Sequence, residues 1–277
     1  MKARLPLAAT AAITLLALAS PLFASPLSEA QITYIVKDVR TVDPQKAPRP
    51  SKLREKLHSQ QSVRTGIASR TELLFTDNTL TRIGANSHFS FTEGTRNMEL
   101  KNGVILLQVP KGAGGAEIRT AAVTAAVTGT TIMLEAGPGF TKLIVLEGSA
   151  WITAHGDKRK RKTNVKAGQE VILPNEAKQV PPPVMIHLDV LVKTSTLASG
   201  KWAVKLDKAL IDQAIAQQSR KGFAPSNLAI VGPGSNVVQL PEAGRLPPQP
   251  LRVGPNGEPI PGFPFNGPGT NPGSGGP

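Results

Sequence analysis

The sequence predicts an all-β fold: a compact sandwich- or solenoid-like domain of roughly a dozen short strands, followed by a C-terminal amphipathic helix and a disordered tail. Short runs of alternating apolar and polar residues, broken by Gly, Asn and Asp, are typical of half-buried strands joined by tight turns. Their spacing of roughly 8–12 residues fits a sandwich, a barrel or a solenoid. The predicted organisation is a signal peptide at residues 1–24, a β domain at 31–180, a helical extension at 184–222 and a Pro/Gly-rich disordered tail at 232–277.

The N-terminal residues have the three-part layout of a secretory signal peptide. Lys2 and Arg4 precede an apolar segment that ends in small residues, and this segment is shorter than the ~20 residues that a membrane-spanning helix needs. Cleavage is predicted after one of three residues: Ala19, Ala24 or Ala30. The mature chain is therefore expected to be periplasmic or secreted and to lack a transmembrane span. An uncleaved N-terminal anchor is the alternative.

The first strands of the β domain are predicted at residues 31–36 and 39–42, where apolar residues alternate with polar ones. Residues 43–61 contain several prolines and basic residues, which interrupt the alternation. A short helical turn is predicted at residues 51–57, with Ser51 as its N-cap.

Turn signals divide the middle of the chain into further strands. Asp77-Asn78 suits the left-handed backbone of a tight hairpin turn, so paired strands are predicted on either side of it. Further turns are predicted at Glu93-Gly94, Asn102-Gly103, Gly137-Pro138-Gly139 and Glu147-Gly148. Residues 104–109 are apolar on both strand faces apart from Gln108, which indicates a strand in the middle of a sandwich or solenoid. The last pair of strands is predicted around Ala167-Gly168-Gln169.

Helical periodicity follows Pro181-Pro182-Pro183, which marks the end of the β domain. Residues 190–198 are predicted to form a helix or short turns, and residues 202–218 form an amphipathic pattern. Its apolar residues recur at helical spacing: Val204, Leu206, Leu210, Ile211, Ala214 and Ile215. This stripe is expected to pack on the β core, with a partner-binding helix as the alternative. Gly222 is the predicted end of the helix.

The composition and the scattered polar residues predict that the protein is not an enzyme. The chain has no cysteine, which excludes disulfides, thiolate metal sites and a cysteine nucleophile. No serine nucleophile elbow or phosphate-binding loop is present, so no catalytic or cofactor-binding residue is predicted. A carbohydrate-active enzyme with paired carboxylates is a distant third hypothesis. Four isolated histidines lack metal-ligand spacing: His58, His88, His155 and His187.

Seven short motifs occur in a fixed order along the predicted β domain. They are Val63-Arg64-Thr65-Gly66, Ser69-Arg70, Leu73-Leu74-Phe75, Leu100-Lys101-Asn102-Gly103, Val127-Thr128-Gly129-Thr130, Val145-Leu146-Glu147-Gly148 and Ala167-Gly168-Gln169. In this order they resemble the FecR domain, the periplasmic β module of the ferric-citrate type transmembrane regulators, which also occurs in many exported bacterial proteins. The resemblance implies an exported β module used for sensing, binding or envelope organisation.

The matched residues are interpreted as architecture, because glycines permit positive φ and serine or threonine hydroxyls bond to turn backbones. The family-motif structural residues are Gly66, Ser69, Arg70, Gly103, Gly129, Thr130, Gly148 and Gly168. Asn78 stands where the family usually has a turn glycine, and Asn tolerates the same geometry. The β module follows almost directly on the predicted export signal, without the sigma-factor-binding segment of the regulators. The anti-sigma role is therefore not expected here.

Basic residues exceed acidic ones by 32 to 19, which gives a formal net charge of +13 and favours anionic partners. The sharpest basic feature is a run at a predicted long hairpin tip: Lys158, Arg159, Lys160, Arg161 and Lys162. A solvated loop or a guard against edge pairing explains such a run. The functional alternative is contact with an anionic envelope polymer or a lipid head group. No aromatic residue interleaves the run, so nucleic-acid binding is not expected.

The sequence thus favours an exported, non-enzymatic binding, sensory or signalling module. Its expected partner is an envelope protein or an anionic envelope polymer, and no cofactor is predicted. The alternative function is a structural scaffold of the cell envelope, tethered through the tail or the basic hairpin.

Overall fold

The structure, a computed structural model, describes Leu27 and residues 29–220. The predicted signal peptide at residues 1–24, the predicted helix end at Gly222 and the predicted tail at 232–277 lie outside the described residues.

Seventeen strands and three helices follow one another along the described part of the chain. The strands are β1 (Ala30–Val36), β2 (Val39–Val42), β3 (Arg49–Pro50), β4 (Lys56–Leu57), β5 (Ser62–Thr65), β6 (Arg70–Phe75), β7 (Leu80–Ile83), β8 (His88–Thr92), β9 (Asn97–Gln108), β10 (Gly115–Arg119), β11 (Val123–Thr128), β12 (Thr131–Gly137), β13 (Phe140–Glu147), β14 (Ser149–Ala154), β15 (Thr163–Lys166), β16 (Gln169–Pro174) and β17 (Val184–Met185). The helices are α1 (Leu188–Thr194), α2 (Thr196–Ser199) and α3 (Lys208–Arg220). The predicted all-β class with a C-terminal helix is confirmed. The strands beyond the expected dozen include β3, β4 and β17. Each of these three strands has only two residues, too few to show an alternation of apolar and polar residues.

The strands form two sheets that share β9. The covered sheet has the order β4, β1, β6, β7, β9, β12, β13, β16, β17. The exposed sheet has the order β3, β2, β5, β8, β9, β10, β11, β14, β15. The pairing of β9 with β10 is parallel, and the other pairings are antiparallel.

The predicted turn at Asn102-Gly103 is wrong, because β9 continues through it. Asn102 still pairs with His88 in the exposed sheet, whereas Gly103 pairs with Ala136 in the covered sheet. The Asn-Gly step therefore marks the place where one 12-residue strand passes from one sheet to the other.

The two sheets enclose one hydrophobic core. In the exposed sheet buried and accessible residues alternate, so each strand has one face toward the core and one toward solvent. Buried side chains of both sheets belong to a single cluster, which includes Ile32, Leu73, Ile105, Val63, Phe89 and Ile152. This burial is the main stabilisation of the β domain.

The covered sheet is buried on both faces because the helices pack on its outer face. A second cluster joins sheet residues such as Leu106 and Ile144 to Leu191, Leu197 and Ile211 of the helical segment. The predicted packing of the amphipathic helix on the β core is confirmed. The same contact explains why residues 104–109 are apolar on both strand faces.

The helical turn predicted at residues 51–57 is wrong. The chain makes a tight turn in which Arg54 has a φ of 64°, and it then enters β4. The Glu55 carboxylate accepts a hydrogen bond from the backbone N–H of Lys52 at 2.8 Å and one from Arg49 at 2.6 Å. These bonds satisfy the turn without a helix.

Two further predictions need adjustment. The strands on either side of Ala167-Gly168-Gln169 lie in different sheets, since β15 pairs with β14 and β16 pairs with β13. The predicted helix at residues 202–218 begins only at Lys208, because the preceding residues bond to the covered sheet, as Val204 N–H does to Glu72.

Candidate functional site

The basic run lies in the loop that joins β14 to β15, as the sequence predicts for a hairpin tip. Trp151 pairs with Asn164 and Ile152 pairs with Thr163, so the loop closes an antiparallel hairpin. Each of its five basic residues is exposed: Lys158, Arg159, Lys160, Arg161 and Lys162.

The buried Asp157 gives this basic loop a defined shape. Its carboxylate accepts hydrogen bonds from the backbone N–H of Arg159 at 2.9 Å and of Arg161 at 3.2 Å. The Arg161 guanidinium donates to the same carboxylate at 2.8 Å. Lys160 adopts a φ of 52° and donates its N–H to the Asp157 carbonyl. The basic run thus forms a hydrogen-bonded turn with a defined backbone conformation.

The basic residues of the loop are of two kinds: Arg161 is paired with Asp157, and the other four are not in an ion pair within the described residues. The Arg161 guanidinium, followed by the two backbone N–H groups, holds the pKa of Asp157 below its usual value. Arg161 therefore serves mainly to position the loop. Among the described residues, Lys158, Arg159, Lys160 and Lys162 have no ion-pair partner within salt-bridge distance, so their charges face solvent.

Trp151 lies on the outer face of the exposed sheet beside this loop. Its neighbours Ala150 and Ile152 point into the core, whereas 47% of Trp151 is exposed. Asn164 flanks it on the edge strand β15, and the small Ala126 flanks it on β11. The alternation of residues 149–154 is the sequence signal that Trp151 faces away from the core.

The family-motif glycines occur where the chain passes between the sheets. Five of these passages hold a motif glycine: Gly66 between β5 and β6, Gly103 within β9, Gly129 between β11 and β12, Gly148 between β13 and β14, and Gly168 between β15 and β16. At Gly103 φ is 96°, and an added Cβ would lie 2.1 Å from Ser87 Oγ. The motif glycines therefore lie at corners where the chain changes sheet, and at Gly103 the chain needs a backbone that other residues rarely adopt.

Two motif hydroxyls also bond to corner backbones. Thr130 Oγ1 donates to the carbonyls of Thr128 and Ser149, each at 2.9 Å. Ser69 Oγ accepts the N–H of Asp38 at 3.1 Å. These contacts stabilise turns, and they bring no nucleophile or general base together.

Arg70, the remaining motif residue, contacts the C-terminal segment. Its guanidinium carbon lies 5.8 Å from the ring centre of Trp202 and 6.0 Å from that of Tyr34. Arg82 approaches the same indole at 5.0 Å, so Trp202 interacts with two cations. Sequence reasoning missed this role because Trp202 lies far along the chain.

A buried ion pair fixes the same segment to the covered sheet. Arg82 Nε donates to Glu72 at 3.1 Å, and both side chains are almost fully buried. Arg82 also donates to the carbonyls of Leu197 at 2.6 Å and Val204 at 2.9 Å. Glu72 accepts the Val204 N–H at 2.9 Å. We call Tyr34, Arg70, Glu72, Arg82 and Trp202 the latch.

Further buried charges lie on the outer face of the covered sheet. Glu135 and Lys142 form an ion pair at 2.7 Å, and Glu170 on β16 is fully buried. Burial raises the pKa of Glu170 to about 7, although the Lys142 charge opposes the shift. The Glu170 carboxylate accepts no hydrogen bond from the described residues. Sequence reasoning did not single out these residues.

The histidines that the sequence leaves isolated are also apart in the structure. His88 bonds to Ser62 at 2.9 Å, and His155 bonds to Thr124 at 3.0 Å. A shallow depression near His88 is lined by Arg64, Thr65, Asn86, Ser87, His88 and Asn102. Within residues 29–220 and at Leu27, no group of three His, Cys, Asp or Glu residues is placed to hold a metal ion.

The fold and its corner motifs define an all-β module. Residues 61–151 match the family model described as FecR protein, which confirms the recognition made from the motifs. The match supports a signalling or regulatory module within residues 61–151. No helix in the described part of the chain is long and apolar enough to cross a membrane.

Two solved structures, each described as a candidate anti-sigma factor from Parabacteroides distasonis ATCC 8503, are similar to this chain. The first has 14% identity over 43% of this chain and 57% of its own, with a TM-score of 0.38. The second has 12% identity over 58% of this chain and 91% of its own, with a TM-score of 0.39. The chain thus spans little more than half of the first structure. No curated protein matches the sequence.

Proposed function

We propose that this chain is a non-enzymatic FecR-domain module exported to the periplasm or beyond, where it binds an anionic envelope partner in a sensory or signalling role. The family match to residues 61–151 supports the signalling class. The observation that carries the binding role is the basic loop shaped by Asp157.

Binding through this loop is favoured by its preorganisation. Because Asp157 already fixes the backbone of Arg159 and Arg161, a partner need not order the loop on binding. The four outward charges add a local positive field to a chain of net charge +13. A scaffold role that depends on the tail stays a prediction, since the tail lies outside the described residues.

Charge reversal in the loop tests the proposal. The variant Lys158→Glu/Arg159→Glu/Lys160→Glu leaves Arg161 and Asp157 in place, so the turn should keep its shape. We expect it to lose most of its binding to isolated envelope fractions at low salt, measured by co-sedimentation. The matched control Lys201→Glu/Lys205→Glu/Lys208→Glu makes the same change in net charge at exposed positions of the helical segment. Equal binding by the two variants would contradict a role for the loop.

A further inference from the structure

We propose that the outer face of the exposed sheet binds an anionic polysaccharide, with a sugar ring stacked on Trp151 and acidic groups of the polymer placed at Lys162 and Lys166. The site deepens the proposed function and rests on it, because it names the chemical class of the anionic partner.

The exposed indole has the surroundings of a stacking platform. Trp151 is one of two tryptophans in the chain, and the other, Trp202, belongs to the latch, where it packs against Arg82. The cross-strand neighbour of Trp151 on β11 is Ala126, whose side chain is a single methyl group, and 47% of Trp151 is exposed. A pyranose ring presents C–H groups of positive partial charge, which suit the negative face of an indole.

Lysines flank the indole along the edge strand. Asn164 pairs directly with Trp151, and Lys166 shares its face two residues further along β15. A diagonal neighbour of this kind is about 7 Å away, within reach of a lysine side chain. Lys162 is exposed and immediately precedes β15, at the end of the loop shaped by Asp157. The cationic groups therefore continue from the loop along the strand that borders Trp151.

Small hydroxyl-bearing residues lie around the indole on the same face. Its accessible or half-buried residues include Ser149, Thr153, Thr124 and Thr128, whose hydroxyls can bond to sugar hydroxyls. Beyond Ala126 and Thr124 the same face continues to Glu117 and Arg119, whose opposite charges offset each other, so the surplus of basic residues lies on the edge-strand side. A polymer is thus expected to lie along β15 and not across the sheet.

The same features disfavour other anionic ligands. A membrane surface would require a broad apolar face to enter the interface, whereas the large exposed apolar residues, Leu53, Ile67 and Trp151, lie on separate loops and strands. Single-stranded nucleic acid is bound by successive aromatic platforms, and among the described residues Trp151 is the one aromatic side chain on this face. One aromatic ring with basic and hydroxyl neighbours fits a charged glycan best.

The test compares binding of the full chain to polygalacturonate, to neutral dextran and to phosphatidylglycerol/phosphatidylcholine vesicles. Isothermal titration calorimetry gives the affinities. We expect binding to polygalacturonate only, with a blue shift of the tryptophan fluorescence. Trp151→Ala and Lys162→Gln/Lys166→Gln should each weaken it by about tenfold or more. Ile67→Ala and Lys205→Gln/Lys208→Gln, at exposed positions elsewhere, are the matched controls.

The outcomes separate this site from the proposed function. Weaker polygalacturonate binding in the loop charge-reversal variant but not in Trp151→Ala would overturn the polysaccharide site and retain the anionic contact. Trp151-dependent binding to the vesicles would assign the face to lipid and overturn the proposal. An absence of polygalacturonate binding by the unmodified chain also overturns it, whereas the envelope-fraction assay still decides the proposed function.

Discussion

Glu170 is a single residue whose protonation is coupled to folding. Its pKa rises from 4.5 to about 7 in the folded chain, mainly because the carboxyl is buried. Between these values the folded state binds more protons than the unfolded state, so the free energy of unfolding falls as pH rises through this window. The positive charge of Lys142 limits the rise in the pKa of Glu170. Lys142 Nζ also forms an ion pair with Glu135 Oε2 at 2.7 Å, so the two carboxylates share one lysine.

Glu170→Gln should therefore stabilise the protein at pH 8 and have little effect at pH 5. The amide resembles the neutral acid, and the gain at pH 8 is at most about 3 kcal/mol. Urea unfolding at both pH values measures it. Glu99→Gln, at an exposed position, controls for the change in net charge. A similar gain in that variant, or a gain at pH 5 only, would contradict the account.

Gly103→Ala should be far more damaging than Gly94→Ala, although both glycines have positive φ, of 96° and 73°. A Cβ at Gly103 would lie within 2.5 Å of three atoms of Ser87, whereas nothing lies within 4 Å of one at Gly94. We expect about 1 kcal/mol from the backbone at Gly94 and several kcal/mol at Gly103. Equal melting temperatures for the two variants would show that the corner can relax.

At the scale of elements, much of the strand inventory could be predicted from the sequence. Local signals were sufficient for the hairpin at Asp77-Asn78, where Asn78 has a φ of 63°, and for the basic hairpin tip. The assignment of strands to sheets could not be predicted, because it depends on pairings far apart along the chain. Asn102-Gly103 shows the difficulty, since the same dipeptide suits a turn and a bend within one strand.

The latch is the element-scale contact that joins the helical segment to the covered sheet. Arg82→Ala leaves Glu72 buried without its ion-pair partner and removes the hydrogen bonds to the carbonyls of Leu197, Ala198 and Val204, so we expect a loss of about 3–5 kcal/mol. Arg40→Ala breaks an ion pair of similar length, 2.9 Å, between residues about half exposed, and should cost at most about 1 kcal/mol. Chemical denaturation measures both. Similar losses in the two variants would argue against the latch.

At the scale of the whole molecule, the candidate site and the latch lie on opposite outer faces. The exposed sheet keeps one face for solvent, and on it lie Trp151 and the basic loop. The covered sheet is buried on both faces and contains charges that sequence reasoning had no means to place there. Glu72 and Arg82 occupy polar positions of strand patterns, and only the packing of residues 197–204 shows that they are buried.

The helical segment is consequently expected to be part of the β domain's stability and not an independent extension. A chain that ends at residue 183 would expose the apolar face formed by Leu80, Val104, Leu106, Met133, Ile144 and Leu146. An apolar surface of this kind promotes association, so we expect oligomers by light scattering and strong binding of an apolar dye. A chain that ends at Arg220 keeps α1 to α3 and should behave like the full chain. The account would be wrong if the chain that ends at residue 183 stays monomeric, binds no dye and has the same melting temperature as the full chain. The helices would then not be needed to shield the apolar face of the covered sheet from solvent.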